Sequence, residues 1–296
     1  MEKVVVIVAP TASGKTALSI KLANECNGEV ISSDSRQVYR KLDIGTEKVT
    51  KEEMAGVPHH LIDVADPETV YTATDFARDG QTAITDITAR GNVPIVAGGT
   101  FFYVDALLGR TQVPEVPPNP TLRAELEQLS TKDLYAKLQD LDPQRADTID
   151  PHNHRRIMRS IEIATALGHV PTLPPATAKY DVLMLGIETP REVLRERIRA
   201  RAEQALTRGL IEETKQLLAD GITRERLSEI GLEYRIIMEY IDGDLTDEQL
   251  IQKLEEKNWQ YAKKQLSWLQ RYQDIHWHPL DDYKDFVGDV RKWLST

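Results

Sequence analysis

Two hydrophobic periods alternate along the first third of the chain. Val4 to Val8 is an unbroken β-branched run, the pattern of a strand buried on both faces in a parallel sheet, and it leads through a loop of small residues into a helical pattern over Ala17 to Asn24. Glu29 to Ser33 reads as a second strand and Val93 to Ala97 as a third, with helices predicted over Thr74 to Ala89 and Phe101 to Leu108. Lys41 to Asp66, with Gly45, Gly56 and Pro58, is predicted to be mostly loop. The rhythm stops at the proline-rich hinge Gln112 to Pro120. Beyond it come charged helical patterns over Thr121 to Leu129, Lys132 to Leu141 and Pro143 to Ile149. His152 to Leu167 is amphipathic, with Ile157, Ile161 and Ala164 inward and Arg155, Arg156 and Arg159 on the other side. Val182 to Ile187 returns to strand, and Pro190 to Arg208, Leu210 to Ala219, Leu232 to Ile241 and Asp247 to Tyr272 are helical.

The loop after the first strand carries the clearest chemistry. Ala9, Pro10, Thr11, Ala12, Ser13, Gly14, Lys15 and Thr16 follow the spacing G-x-x-x-x-G-K-[ST] of nucleotide- and ATP-binding P-loops, with Ala9 in place of the first glycine. Strand, loop and helix N-terminus aim backbone N–H groups and the positive end of a helix dipole at one point. Lys15 adds a mobile charge and Thr16 a hydroxyl for Mg²⁺. The predicted fold class is therefore α/β: a P-loop parallel-sheet core over 1–112, a mostly helical insertion with its flanks over 113–179, and a second, mainly helical part of the core over 180–296.

Other features admit two readings each. Asp34 follows the second strand where a parallel sheet delivers a residue to the edge that carries the phosphate loop, but Asp34-Ser35 is also an ordinary turn opener. Gly98-Gly99 at the end of the third strand permits close backbone approach to a ligand, or a tight packing turn. His59-His60 has no further ligand at metal spacing and reads as polar packing. Arg197 and Arg201 lie four apart on one helix face. Trp259, Tyr261, Lys263, Lys264, Trp268 and Arg271 interleave aromatics with positive charge, a pattern that fits a core helix or a base-stacking platform. No acid ends the third strand or Val182 to Ile187, which weakens an ATP-hydrolysing reading.

Composition narrows the class. The 296 residues are 41% hydrophobic and 28% charged, with no apolar run near the roughly 20 residues a membrane span needs. A net charge of −10 argues against nucleic-acid binding by bulk charge, yet Asp150 to Arg208 holds ten Lys/Arg against seven Asp/Glu, so a local basic face is possible. The single cysteine, Cys26, excludes an internal disulfide and is expected to be buried and inert. No export signal is visible, so the cytoplasm is the expected compartment.

Taken together, Ala9 to Thr16 (APTASGKT), Glu29 to Lys48 (EVISSDSRQVYRKLDIGTEK), His59 to Phe76 (HHLIDVADPETVYTATDF), Val96 to Leu107 (VAGGTFFYVDAL), Ile149 to Ile163 (IDPHNHRRIMRSIEI) and Ala262 to Arg271 (AKKQLSWLQR) resemble the bacterial tRNA dimethylallyltransferase, or tRNA isopentenyltransferase, family, in order and over nearly the whole chain. The resemblance implies a P-loop core pierced by a tunnel, an insertion domain that embraces the anticodon stem, and transfer of a dimethylallyl group from dimethylallyl diphosphate to N6 of the adenosine 3′ of the anticodon, with Mg²⁺ and release of diphosphate. It implies donor binding by Ala9 to Thr16, with the metal on Thr16. It implies tRNA contacts by Asp34, Ser35, Arg36, Gln37, Thr100, Arg123, Arg155, Arg156, Ile157, Met158 and Arg159. Asp34 is the candidate catalytic base and Thr100 a catalytic, orienting hydroxyl, in a protein expected to act as a monomer. The family's usual G-Y-[RK]-[QE] stretch stands here as Gly231-Leu232-Glu233-Tyr234-Arg235, and the zinc finger of eukaryotic members is absent. Rival readings are an adenylate isopentenyltransferase, which has no use for the insertion's arginine helix, a P-loop kinase of a small metabolite, which would turn over ATP, and a nucleotide-gated RNA-binding module.

Overall fold

The structure, a computed structural model, describes residues 1–111, 114, 116–172 and 178–296. Of the expected hinge, Gln112, Val113 and Glu115 lie outside the described residues, as do 173–177 of the insertion's flank. In chain order the elements are β1 (Glu2–Val8), α1 (Lys15–Cys26), β2 (Gly28–Ser32), β3 (His59–His60), α2 (Ala73–Ala89), β4 (Val93–Ala97), α3 (Phe101–Leu107), α4 (Pro120–Leu126), α5 (Thr131–Leu141), α6 (Pro143–Thr148), α7 (His154–Leu167), β5 (Tyr180–Glu188), α8 (Arg191–Thr207), α9 (Leu210–Ala219), α10 (Arg224–Ile230), α11 (Leu232–Ile241), α12 (Asp247–Leu269), β6 (Ile275–Pro279) and α13 (Tyr283–Leu294). They fall into two compact units, Met1–Thr111 with Thr177–Thr296, and Gln112–Ala176.

In the larger unit the strands form one parallel sheet in the order β3-β2-β4-β1-β5-β6. Val4 to Val8 are fully buried because β1 has a strand on each side, Val5 facing Ile95 of β4 and Leu183 of β5, and helices over its faces. Parallel pairing brings the ends of β1, β2 and β4 to one edge, so Ala9–Thr16, Ser33–Gln37 and Gly98–Thr100 open together. Ligands of open α/β sheets bind at such an edge.

The pattern predicts four strands, and the sheet has six. β3 is too short to show alternation, and β6 carries His276, His278 and Pro279, which hide its period. Both are edge strands whose ladder is supplied by a neighbour, β2 for β3 and β5 for β6. Helices α10 and α13 also escape the hydrophobic reading, although α13 buries Phe286, Val287 and Val290 against the sheet's core. Cys26 is half-buried in the last turn of α1, and burial pushes its thiol up to about 11, which keeps it protonated.

The smaller unit packs α4 to α7 around Leu126, Leu134, Leu138, Ala146, Ile149, Ile157, Met158 and Ile161. Asn119, Ser130, Asp142 and Asn153 cap its helices with side-chain oxygens, which explains four starts in so short a stretch. Among the described residues no helix is long and apolar enough to cross a membrane.

Candidate active site

At the strand edge of the larger unit lies a cavity of about 570 Å³, lined on one side by Thr11, Ala12, Gly14, Lys15 and Thr16 and on the other by Asp34, Arg36 and Gln37. Arg197 and Arg201 of α8, Glu47, Gly98, Gly99, and Tyr261 and Gln265 of α12 complete its wall. Four cationic side chains thus face one space, Lys15, Arg36, Arg197 and Arg201. Asp34, Glu47 and Glu53 line it as well, so charges of both signs face the cavity.

The phosphate loop is shaped by backbone. Gly14 sits at φ +93 at the start of α1, a conformation that a side chain would strain. Ala9 does not occupy a left-handed conformation, and it is fully buried in the sheet's core cluster, so alanine there costs the loop nothing. Lys15 Nζ donates to Pro10 O at 2.8 Å. Burial, and then the charge of Arg201, push its ammonium down to about 7, with Asp34 and Glu47 acting in the other direction. Ser13 Oγ is buried without a hydrogen-bond partner among the described residues. Ala9, Pro10 and Ser13 stand behind the cavity wall; the residues of the loop that line it are Thr11, Ala12 and Gly14 to Thr16.

The loop after β2 is fixed by its neighbours. Asp34 Oδ1 accepts the backbone N–H groups of Arg36 at 2.9 Å and Gln37 at 3.4 Å, so Asp34 opens a turn and also lines the cavity. Asp34 Oδ2 has no hydrogen-bond partner among the described residues. Thr100 Oγ1 accepts the Ser35 N–H at 2.9 Å, and the Thr100 N–H donates to Ser33 O at 3.0 Å. A Cβ on Gly98 would lie 2.2 Å from Ser33 O, so glycine is required for the two loops to meet. Thr100 and Ser35 are not among the residues that line the cavity; Thr100 holds the Asp34 loop through Ser35. Gln37 is also tied inward, donating to Thr46 O and Glu47 O.

Several wall residues carry no local motif. Gln265 Oε1 accepts the Thr11 N–H at 2.8 Å while its Nε2 donates to Gly99 O at 2.9 Å, so one α12 side chain spans the phosphate loop and the Gly98-Gly99 turn. Arg201 donates to Thr11 Oγ1 at 3.2 Å and pairs with Glu47, whose carboxyl is raised by burial against the pull of Arg201. Glu47 itself is held because Glu213 accepts the N–H groups of Asp43, Ile44 and Gly45, and because buried Lys48 donates to Tyr39 O, Asp43 and Asp63. The divergent Gly231–Arg235 stretch reaches this region too: Glu233 accepts from Arg36, and Tyr234, fully buried, donates to Glu213.

His59 and His60 follow the packing reading. His60 Nε2 lies 2.7 Å from Glu29 Oε2, and His59 Nδ1 lies 2.9 Å from Val57 O. Among the described residues no group of three His, Cys, Asp or Glu side chains is placed to hold a metal ion.

The remaining predicted residues belong to the smaller unit. Arg155 and Arg156 are exposed on α7, whereas Ile157 and Met158 are buried in that unit's core, where their side chains are closed to a ligand. Arg123 forms a two-point pair with Glu162, at 2.8 and 2.9 Å, and Arg159 joins the same carboxylate at 3.2 Å while donating to Val116 O. Burial alone would raise Glu162, but the arginines and the Asn119 N–H outweigh it and hold the carboxyl low. Both guanidiniums thus have a structural task.

A family model described as IPP transferase matches residues 37–272. The tRNA dimethylallyltransferase of Thermomicrobium roseum is 44% identical, covering 93% of this chain and 85% of that protein, and that of Anoxybacillus flavithermus is 39% identical, covering 99% and 95%. Among solved structures, the full-length tRNA isopentenylpyrophosphate transferase of Bacillus halodurans superposes with a TM-score of 0.73 at 37% identity, over 100% of this chain and 99% of that one. A eukaryotic dimethylallyltransferase acting on tRNA gives a TM-score of 0.80 at 32% identity, over 94% of this chain and 74% of that one.

Proposed function

We propose, from the premise that the chain belongs to the IPP transferase family, that it transfers a dimethylallyl group from dimethylallyl diphosphate to N6 of the adenosine 3′-adjacent to the anticodon of tRNA, releasing diphosphate. The observation that carries this reading is the cavity itself, which sets a phosphate loop and three guanidiniums around one space with a carboxylate whose Oδ2 has no hydrogen-bond partner among the described residues. The relatives named above act on tRNA, which favours it over transfer to a free nucleotide or phosphorylation of a small metabolite.

The chemistry follows from these groups. The exocyclic amine of adenine is a weak nucleophile because its lone pair is delocalised into the ring. As N6 bonds to the allylic carbon, the carbon–oxygen bond breaks with its electron pair leaving on diphosphate, and the N6 proton passes to Asp34 Oδ2. Backbone N–H groups of Ala12 to Thr16, Lys15, Arg197 and Arg201 stabilise the growing charge of the leaving group, the kind of preorganised stabilisation that is often the largest catalytic term. Thr16 would hold Mg²⁺ through its hydroxyl, and one hydroxyl, with no three-residue metal cluster among the described residues, suits a cation that keeps its waters and binds mostly through substrate phosphates. When bound, the ion neutralises diphosphate charge. A target base must leave the anticodon loop to reach the cavity, which costs least where pairing is already absent.

Purified protein incubated with unmodified tRNA and labelled dimethylallyl diphosphate tests the reading. Label is expected on tRNA, with one diphosphate released per transfer, loss of turnover in EDTA, and no label on AMP. Label on AMP with none on tRNA, or phosphoryl transfer from ATP, would replace this function with one of the rivals.

A further inference from the structure

Helix α12 faces two ways along one stripe. Tyr261 and Gln265 line the cavity, and a turn further on the same helix carries Lys264 and Trp268, with Arg271 just past its end. Trp268 is pinned in place, its indole Nε1 donating to Asp105 Oδ2 at 3.0 Å, while the Tyr272 hydroxyl donates to Asp105 Oδ1 at 2.7 Å. The ring of Trp268 meets Phe102 of α3 edge to face, with centroids 6.3 Å apart and planes at 76°. The Arg271 guanidinium lies 4.5 Å from the centroid of Trp268.

Phe102 is 39% exposed, although it follows Phe101, which is buried. It stands two residues beyond Thr100, which fixes the Asp34 loop. Trp259 on the same helix behaves differently, packing with Leu194, Ile198 and Ala262 in a small core cluster. The interleaved aromatics of this helix therefore divide into a core member, Trp259, and Trp268, which shares a helix face with exposed Lys264 and has exposed Arg271 against its ring. Open aromatic faces beside guanidinium and ammonium groups are how proteins hold single-stranded nucleic acid, the rings stacking on bases and the cations meeting phosphates.

We infer that Phe102, Trp268 and Arg271 form a stacking platform at the cavity rim for an unpaired nucleobase next in the strand to the adenosine that enters the cavity. The inference rests on the tRNA reading above. Withdrawing one base from a loop removes the stacking partner of its neighbour, and an aromatic ring at the rim replaces it. The positive charge of Lys264 and Arg271 complements the phosphates on either side of that neighbour.

The test uses the full chain and synthetic anticodon stem-loops: one intact, one abasic immediately 5′ of the target adenosine, and one abasic immediately 3′. Phe102→Ala is expected to weaken binding of the intact stem-loop about 5- to 50-fold, the range for one lost base–aromatic contact. On one of the two abasic stem-loops the wild-type protein already shows the loss, and Phe102→Ala adds no more than about twofold, the mark of a coupled pair. Phe102→Tyr keeps near-normal binding, and the KM for dimethylallyl diphosphate stays unchanged in every variant. Intact binding by Phe102→Ala, or an equal loss on all three RNAs, overturns the platform while leaving the tRNA reading standing. Absence of dimethylallyl transfer by the wild-type protein to the intact stem-loop overturns that reading, and the platform with it.

Discussion

Arg36 donates to Glu233 Oε2 at 2.6 Å, joining the loop after β2 to the first turn of α11 across 197 residues of chain. The side chains are only 17% and 12% exposed. Burial works against the charge of Arg36, but Glu233 and then Asp34 outweigh it and hold the guanidinium above its usual range. Glu233→Gln removes one charge and leaves the other buried, so a loss of about 2 to 4 kcal/mol is expected. Thermal unfolding should show it as a midpoint lower by several degrees, and an unchanged midpoint would mean that the pair contributes nothing to holding the Asp34 loop.

Lys15→Ala withdraws a charge from the phosphate loop. Transfer to tRNA is expected to fall by about 10²-fold or more, the scale on which one preorganised stabiliser is lost. Steady-state turnover with saturating tRNA measures it, and near-normal rates would detach the loop from the donor.

Asp34→Asn keeps the size of the side chain and an acceptor oxygen for the Arg36 N–H, but it cannot take a proton. If Asp34 is the base, kcat drops by roughly 10²- to 10⁴-fold with tRNA affinity within a few fold of normal. Thr100→Ala should be milder, about 1 kcal/mol or near fivefold in rate, since it removes only the Ser35 contact that positions the loop. Single-turnover rates on saturated enzyme separate the two roles; intact chemistry with lost tRNA binding in Asp34→Asn would make Asp34 a recognition residue.

Arg155 and Arg156 are the exposed arginines of α7. Replacing both with Ala is expected to weaken tRNA binding and to flatten its salt dependence, each lost phosphate contact lowering the log–log slope by about 0.7 to 0.9. Arg123→Ala and Arg159→Ala should act differently, by lowering stability, because each leaves buried Glu162 short of a partner. Binding titrations at several salt concentrations, beside thermal melts, distinguish the effects.

Glu29 is buried and accepts from Arg90 at 3.0 and 2.8 Å and from Asn92 at 2.7 Å, and its carboxyl is held down to about 2, chiefly by Arg90. Its folded value lies below the ordinary carboxylate value of about 4.3, so its contribution is present above about pH 5 and is lost as the pH falls toward 2. Glu29→Gln should cost about 2 to 3 kcal/mol at pH 7. Urea titrations should show wild type and variant converging near pH 2; a constant difference across that range would rule out this linkage.

Periodicity was enough for the elements that bury a whole face or a whole strand, such as β1, α2 and α7, because the energy of burial is written into which positions are apolar. The loop after β1 was legible for a related reason: Gly14, Lys15 and Thr16 are set by local backbone geometry at the start of α1, so spacing alone marks the turn. The short edge strands β3 and β6 were not legible, since an edge strand takes its order from a neighbour's ladder and not from its own pattern. The roles of Thr100, Arg123 and Arg159 lay equally out of reach. Each was readable as a ligand contact by type and position, and only the fold assigned their partners Ser35 and Glu162. Gln265, Glu213 and Glu233 lie far in sequence from the loops they hold, and hydrogen bonding across such separations leaves no periodic trace in a chain. What this sequence determined by itself was where the Gly14-Lys15-Thr16 loop opens and which segments make the four longer-patterned strands of the sheet; which polar side chains face the cavity and which are committed to holding its walls was decided by tertiary packing, because a donor chooses among acceptors only once the backbone has brought them within about 3 Å.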